Sequence, residues 1–155
     1  MPFPSGLYTF RASPAVGYGG VYATGNDVNE VISVAPQSPP FVERQVWNIR
    51  AVYGKEGAYT ITLHANGGTF GHWSPKDGEP IPERPIVTSE KPYEWYIAHK
   101  DTPDVPETIT IRAPNPLLGV DFYVGTNDKA QVIIKPVPVI PDADVPYWKF
   151  EHHSG

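Results

Sequence analysis

Short stretches in which apolar and polar residues alternate run through this chain, and turn-forming residues interrupt every one of them. Leu7 to Phe10, Tyr59 to Leu63 and Thr108 to Ile111 place bulky side chains on alternate positions, the signature of strands buried on one face. Val31 to Val34 and Gln131 to Ile134 are more continuously apolar and predict strands buried on both faces. Nineteen prolines and fourteen glycines leave no uninterrupted window for a long helix. The pattern is all-β.

The strands recur. Gly6-Leu7-Tyr8-Thr9-Phe10 aligns with Gly57-Ala58-Tyr59-Thr60-Ile61 and with Glu107-Thr108-Ile109-Thr110-Ile111. Tyr8, Tyr59 and Ile109 are thus spaced by 51 and 50 residues. Trp47, Trp95 and Trp148 each fall in a short aromatic segment near the end of a unit. A single offset of 101 carries Tyr8 to Ile109, Tyr22 to Tyr123, Asn26-Asp27 to Asn127-Asp128 and Trp47 to Trp148. Three units, about 1–52, 53–102 and 103–155, with about four strands each, predict one β-trefoil domain: a closed barrel capped by hairpins that leaves few open strand edges. The repeated tryptophans are then expected to pack symmetrically in the core, and function to lie in the connections.

Composition narrows the chemistry. A net charge of −5 with no basic stripe argues against a nucleic-acid partner. Cysteine is absent, which removes a catalytic thiol, a thiolate metal site and a disulfide framework. No stretch is apolar for long enough to span a membrane as a helix, and Met1 to Gly6 lacks the pattern of a signal peptide. These features lead to the expectation of a cytoplasmic monomer without cofactor or metal.

Catalytic constellations are weak. Gly17-Tyr18-Gly19-Gly20-Val21-Tyr22 has Tyr22 where a dinucleotide fingerprint needs its third glycine, and no Lys-Ser/Thr follows to make a phosphate loop. His152 and His153 are adjacent, so in an extended chain their rings point to opposite faces. His64, His72 and His99 do not share a metal-ligand spacing, and no serine sits in a nucleophile elbow. The chain is not expected to be an enzyme.

Three connections therefore draw the functional reading. Gly17, Gly19, Gly20 and Gly25 lie between the first and second predicted strands; they suit either a loop with positive φ or a side-chain-free backbone able to enter a narrow cleft. Ala35-Pro36-Gln37-Ser38-Pro39-Pro40-Phe41 is the third connection. Its prolines make a stiff connector, or equally a loop that loses little entropy when a partner holds it. Ala65-Asn66-Gly67-Gly68 reads first as a turn, and also as an exposed asparagine that an asparagine-selective protease would recognise.

Runs along the whole chain resemble the mycocypins, the mushroom family of cysteine-protease inhibitors that includes the clitocypins and macrocypins. Gly19-Gly20-Val21-Tyr22-Ala23, Phe41-Val42-Glu43-Arg44-Gln45-Val46-Trp47, Ile111-Arg112-Ala113-Pro114 and Gly119-Val120-Asp121 are similar to the clitocypins. Gly71-His72-Trp73-Ser74 and Lys135-Pro136-Val137-Pro138-Val139-Ile140-Pro141, with Pro146 and Trp148, are similar to the macrocypins. The resemblance implies a β-trefoil and reversible, non-covalent inhibition of papain-like cysteine proteases, of the papain and cathepsin L type, by loops that block the active-site cleft. It assigns that contact to Gly17, Tyr18, Gly19, Gly20 and Val21 in the first connection and to Ser38, Pro39, Pro40 and Phe41 in the third. It further implies inhibition of legumain, the asparaginyl endopeptidase, through Asn66 with Gly67 beside it. Gly67 makes that loop flexible, so cleavage and inhibition both remain open at this point.

Two other classes compete. Gln45-Val46-Trp47 matches the Gln-x-Trp motif of ricin-like lectins, although the other units read Tyr93-Glu94-Trp95 and Pro146-Tyr147-Trp148. A serine-protease inhibitor on the same scaffold is the second, but Gly25-Asn26-Asp27-Val28-Asn29 offers no Arg or Lys to a trypsin pocket.

Overall fold

Twelve strands form among the described residues, and each of the segments read as a strand from its alternation becomes one. The computed structural model describes residues 3–12, 21–27, 29–64, 71–100, 107–115, 118–141 and 143–153. The strands are β1 (Gly6–Ala12), β2 (Tyr22–Thr24), β3 (Ser33–Ala35), β4 (Trp47–Ala51), β5 (Ala58–Leu63), β6 (His72–Pro75), β7 (Ile86–Ser89), β8 (Trp95–His99), β9 (Thr108–Ala113), β10 (Val120–Thr126), β11 (Val132–Pro138) and β12 (Trp148–His152).

Six of them close into an antiparallel barrel in the order β1, β4, β5, β8, β9, β12, with β12 returning to β1. The other six pair as the hairpins β2–β3, β6–β7 and β10–β11. The hairpins meet one another through the bridges Val31 to Val87, Ser33 to Gln131 and Pro85 to Ile133. Ile32, Ile86 and Val132 are fully buried there, and their backbones are joined by bonds from Ile32 N–H to the Ile86 carbonyl (2.9 Å) and from Val132 N–H to the Ile32 carbonyl (2.8 Å). This is a β-trefoil of three four-stranded units.

The register explains the repeat. Tyr8 stands opposite Trp47, Tyr59 opposite Trp95 and Ile109 opposite Trp148, so the aligned residues of each unit meet in the same barrel layer. The three indoles are completely buried, and each N–H donates to a backbone carbonyl of its own unit's hairpin: Ala23 at 3.0 Å, Trp73 at 2.9 Å and Val124 at 3.0 Å. A buried indole brings a polar group that must find a partner, and the fold meets that demand three times in one way. Each indole also removes about 150–250 Å² from water, a gross contribution of roughly 4–6 kcal/mol.

Two features differ from the sequence reading. The segment Val31 to Val34 is strand only from Ser33, because Val31 and Ile32 are engaged in the bridges between hairpins rather than in a ladder. The segment Gln131 to Ile134 extends to Pro138 despite two prolines. That is permitted because Pro136 and Pro138 lie beyond the contacts that Val132 to Ile134 make with the other hairpins, on the part of β11 whose strand pairing is with β10 alone, so the missing N–H groups face away from that ladder.

Candidate functional site: two connections at one end of a hairpin

The first and third connections leave the scaffold side by side. Tyr22, at the start of β2, pairs with Ala35, at the end of β3, and Ala12 N–H donates to the Val21 carbonyl (2.8 Å) where the chain returns from the first connection. Gly17, Tyr18, Gly19 and Gly20 lie outside the described residues. Val21 is half-buried and packs against the core, so it belongs to the stem of that connection rather than to an exposed tip.

The third connection, residues 36–46, is more than a proline spacer. Ser38, Pro39 and Pro40 are exposed and Phe41 is half-buried. The Ser38 carbonyl accepts from Phe41 N–H (2.9 Å) and Val42 N–H (3.0 Å), and Ser38 N–H donates to the Pro36 carbonyl (2.9 Å). The chain then runs through a single 3₁₀ turn, Phe41–Arg44, which the composition did not announce. The four residues assigned to protease contact in this connection are therefore held together on one compact protrusion.

Gln45, half of the Gln-x-Trp match, is fully buried, and so is Trp47, as core packing of the repeated tryptophans leads one to expect. The Gln45 Nε2 donates toward Thr24 Oγ1 (3.0 Å), the Ala35 carbonyl (3.2 Å) and the Pro36 carbonyl (3.0 Å). One amide thus ties the end of the third connection to its own beginning and to β2. The neighbouring Arg44 adds a bond from Nη1 to Asn26 Oδ1 (3.2 Å), and its carbonyl accepts from Gly25 N–H (2.8 Å). The available signal was a polar residue two positions before the repeated tryptophan, where the other units carry Tyr93 and Pro146.

Asn66 and Gly67 lie outside the described residues, but the stem that carries them is defined. Leu63 N–H donates to the Gly71 carbonyl (3.2 Å), and Gly71 N–H to the Ser89 carbonyl (3.2 Å). His64 N–H donates to the Val46 carbonyl (3.0 Å), so this stem abuts the end of the third connection. His72, the first residue of β6, has a buried Nδ1 with no hydrogen-bond partner among the described residues, and burial lowers its pKa from the ordinary 6.5. A bare imidazole nitrogen in an apolar setting favours the neutral ring.

Among the described residues, no three His, Asp or Glu side chains converge to hold a metal ion, and no helix is long and apolar enough to cross a membrane. Fold and loops together define a class: a β-trefoil scaffold that carries an ordered, exposed third connection. The comparisons with known proteins give that class its family. A model of the family described as peptidase inhibitor clitocypin matches residues 6–150. The chain is 31% identical over 150 residues to Clitocypin-2 of Clitocybe nebularis, with 94% of each chain covered. It is 27% identical over 164 residues to Macrocypin-5a of Macrolepiota procera, with 96% of each covered. The chain belongs to the clitocypin family of peptidase inhibitors, and so to a family of protease inhibitors rather than of enzymes.

Solved structures agree on the fold alone. A designed threefold-symmetric protein, ThreeFoil, superposes with a TM-score of 0.67 at 13% identity, over 95% of this chain and 99% of the other. The Rhizoctonia solani agglutinin superposes with a TM-score of 0.68 at 15% identity, over 99% of each chain.

Proposed function

We propose that the chain is a reversible, non-covalent inhibitor of papain-like cysteine proteases that occludes the active-site cleft with its first and third connections. The observation that carries this reading is the protrusion Ser38 to Phe41, exposed at its prolines and braced from beneath by the buried Gln45. Two connections leaving one end of the β2–β3 hairpin suit a V-shaped cleft, which needs a blocker with two edges. Prolines at positions 39 and 40 restrict φ, and the backbone bonds around Ser38 order the segment before any partner arrives. Little ordering entropy is then left to lose on binding. Membership of a peptidase-inhibitor family supports proteases as the partner class.

The second part of the proposal is separate inhibition of legumain through Asn66, on the connection between β5 and β6. The inhibitor acts as a monomer, and the cytoplasm is its proposed location. Parallel titration against papain, a cathepsin L-type enzyme, legumain and trypsin tests the whole reading, with inhibition of the first three expected and of trypsin not. Asn66→Ala is expected to abolish legumain inhibition and leave papain inhibition unchanged. Bulky replacements at Gly19 and Gly20 are expected to weaken papain inhibition, and undiminished inhibition would remove the first connection from the contact.

A further inference from the structure

The third connection has counterparts in the other units, and their lengths differ. Residues 36–46, 90–94 and 139–147 join the hairpin to the closing strand of each unit, in eleven, five and nine residues. Two positions before the barrel tryptophans stand Gln45, Tyr93 and Pro146; directly after the three residues that accept the indole bonds stand Thr24, Ser74 and Gly125. In the first unit this corner is filled, because the buried Gln45 amide bonds the Thr24 hydroxyl at 3.0 Å. In the third it is filled by hydrocarbon. A Cβ placed on Gly125 would lie 2.9 Å from Lys135 Cδ and 3.5 Å from Pro146 Cγ.

In the second unit the five-residue connection is too short to fold back over the corner, and Ser74 and Tyr93 instead line a pocket of about 430 Å³. Asn29, Asp77, Ser89 and Lys91 share that lining. Asn29 and Asp77 both sit on left-handed backbone, at φ 70° and 64°, and Asn29 is pinned by its N–H to the Thr88 carbonyl (2.6 Å). Tyr93 is half-buried with its ring 4.9 Å from that of Trp95, so its position is set by the core. Lys91 N–H donates to Ser89 Oγ (3.1 Å), and among the described residues neither Lys91 nor Asp77 enters an ion pair.

We propose that this pocket, where the second unit meets Asn29 of the first, is a saccharide-binding site taking a neutral sugar unit. One carboxylate and one ammonium balance each other, so the site exerts no net pull on a phosphate or an acid. Carboxylate, carboxamide, ammonium and hydroxyl groups together offer donors and acceptors to a ring of hydroxyls, while a fixed phenol ring offers an apolar wall to the C–H face of a sugar. The volume lies within the range of small-ligand pockets. The site is distinct from the connections assigned to protease contact, and it differs from the Gln-x-Trp reading in residues and in place.

The test uses the full chain on a glycan array, followed by NMR titration with the methyl glycosides of glucose, galactose, mannose and N-acetylglucosamine. Saturable binding of at least one neutral sugar is expected, with shifts centred on the pocket lining, Asn29 of the first unit included. Asn29→Gly and Asp77→Asn keep the left-handed backbone while removing the carboxamide and the charged acceptor. Each should lower the affinity by about tenfold or more, with papain inhibition unchanged. Neutral N-glycans bound on the array would place the sugar on a glycoprotein, and fragments of a glucan or mannan would place it in a polysaccharide; both support the site. Absence of binding to every neutral sugar, affinity unchanged in both variants, or a preference confined to sialylated or sulfated glycans would each overturn it.

Discussion

Trp47 and Pro39 are eight residues apart in the chain and obey different rules. Trp47 is fully buried, sits opposite Tyr8 and bonds the Ala23 carbonyl, and two further tryptophans repeat that arrangement around the barrel. Pro39 is exposed, on a connection whose counterparts differ from it in length and in sequence. The barrel layer is constrained three times over, since closing the sheet requires the same packing and the same satisfied indole in every unit. The third connection is under no such threefold requirement; its order comes from its own 3₁₀ turn, the bonds around Ser38 and the buried Gln45. A partner surface can therefore change in one unit without disturbing the closure of the barrel, provided that a buried group such as Gln45 couples the new loop to the scaffold.

The comparison breaks first at the tryptophans. Trp47→Ala removes a fully buried indole and leaves a cavity against Trp73, whose ring lies 5.3 Å away; a loss of about 3–5 kcal/mol is expected by urea denaturation. Inhibition should disappear only through unfolding, so any protein that remains folded should still bind papain. Gln45→Leu tests the coupling itself. It preserves bulk but takes the donor from the Thr24, Ala35 and Pro36 oxygens, and a loss of about 1–3 kcal/mol is expected, with weakened papain inhibition and unchanged legumain inhibition. Papain inhibition at full strength in a destabilised Gln45→Leu protein would show that the brace serves the fold alone.

The smallest effect concerns His72 at the other stem. Its folded-state pKa is depressed by burial, so the unfolded chain takes up the proton first. Stability should therefore fall as pH drops below about 6.5 and level off once the folded protein is protonated as well. Thermal melts of the native chain and of His72→Gln across that range should differ in slope, the variant being flatter below pH 6.5. Parallel slopes would assign the acid sensitivity to other groups.

The barrel was legible because alternation and spacing are imposed by geometry. Tyr8, Tyr59 and Ile109 could be aligned by eye, and the register later set each of them against its own tryptophan. The third connection was legible as stiff from its prolines, but its 3₁₀ turn was not, since Phe41 to Arg44 carries no helix signal of its own and closes on the Ser38 carbonyl. The role of Gln45 was hidden because its partners are oxygens up to 21 residues away, two of them backbone carbonyls that no side-chain pattern reveals. The pocket beside Tyr93 was hidden for the opposite reason. It exists through what is missing, and a void leaves its trace in the sequence only as a short count between β7 and β8.

The pairing of β1 with β12 carries a last consequence. Tyr8 stands opposite His152, Phe10 opposite Phe150, and the Phe3 ring lies edge-on to that of Phe150 at 4.9 Å. The first and last strands are thus neighbours in the same wall, and the barrel is a circle with no privileged starting point. A circular permutant joined across that seam and reopened at the solvent-exposed turn around Tyr53, between the first and second units, would keep every strand pairing. Such a rearrangement would keep the cyclic order of the three units and make the choice of which unit leads the chain a free variable for engineering.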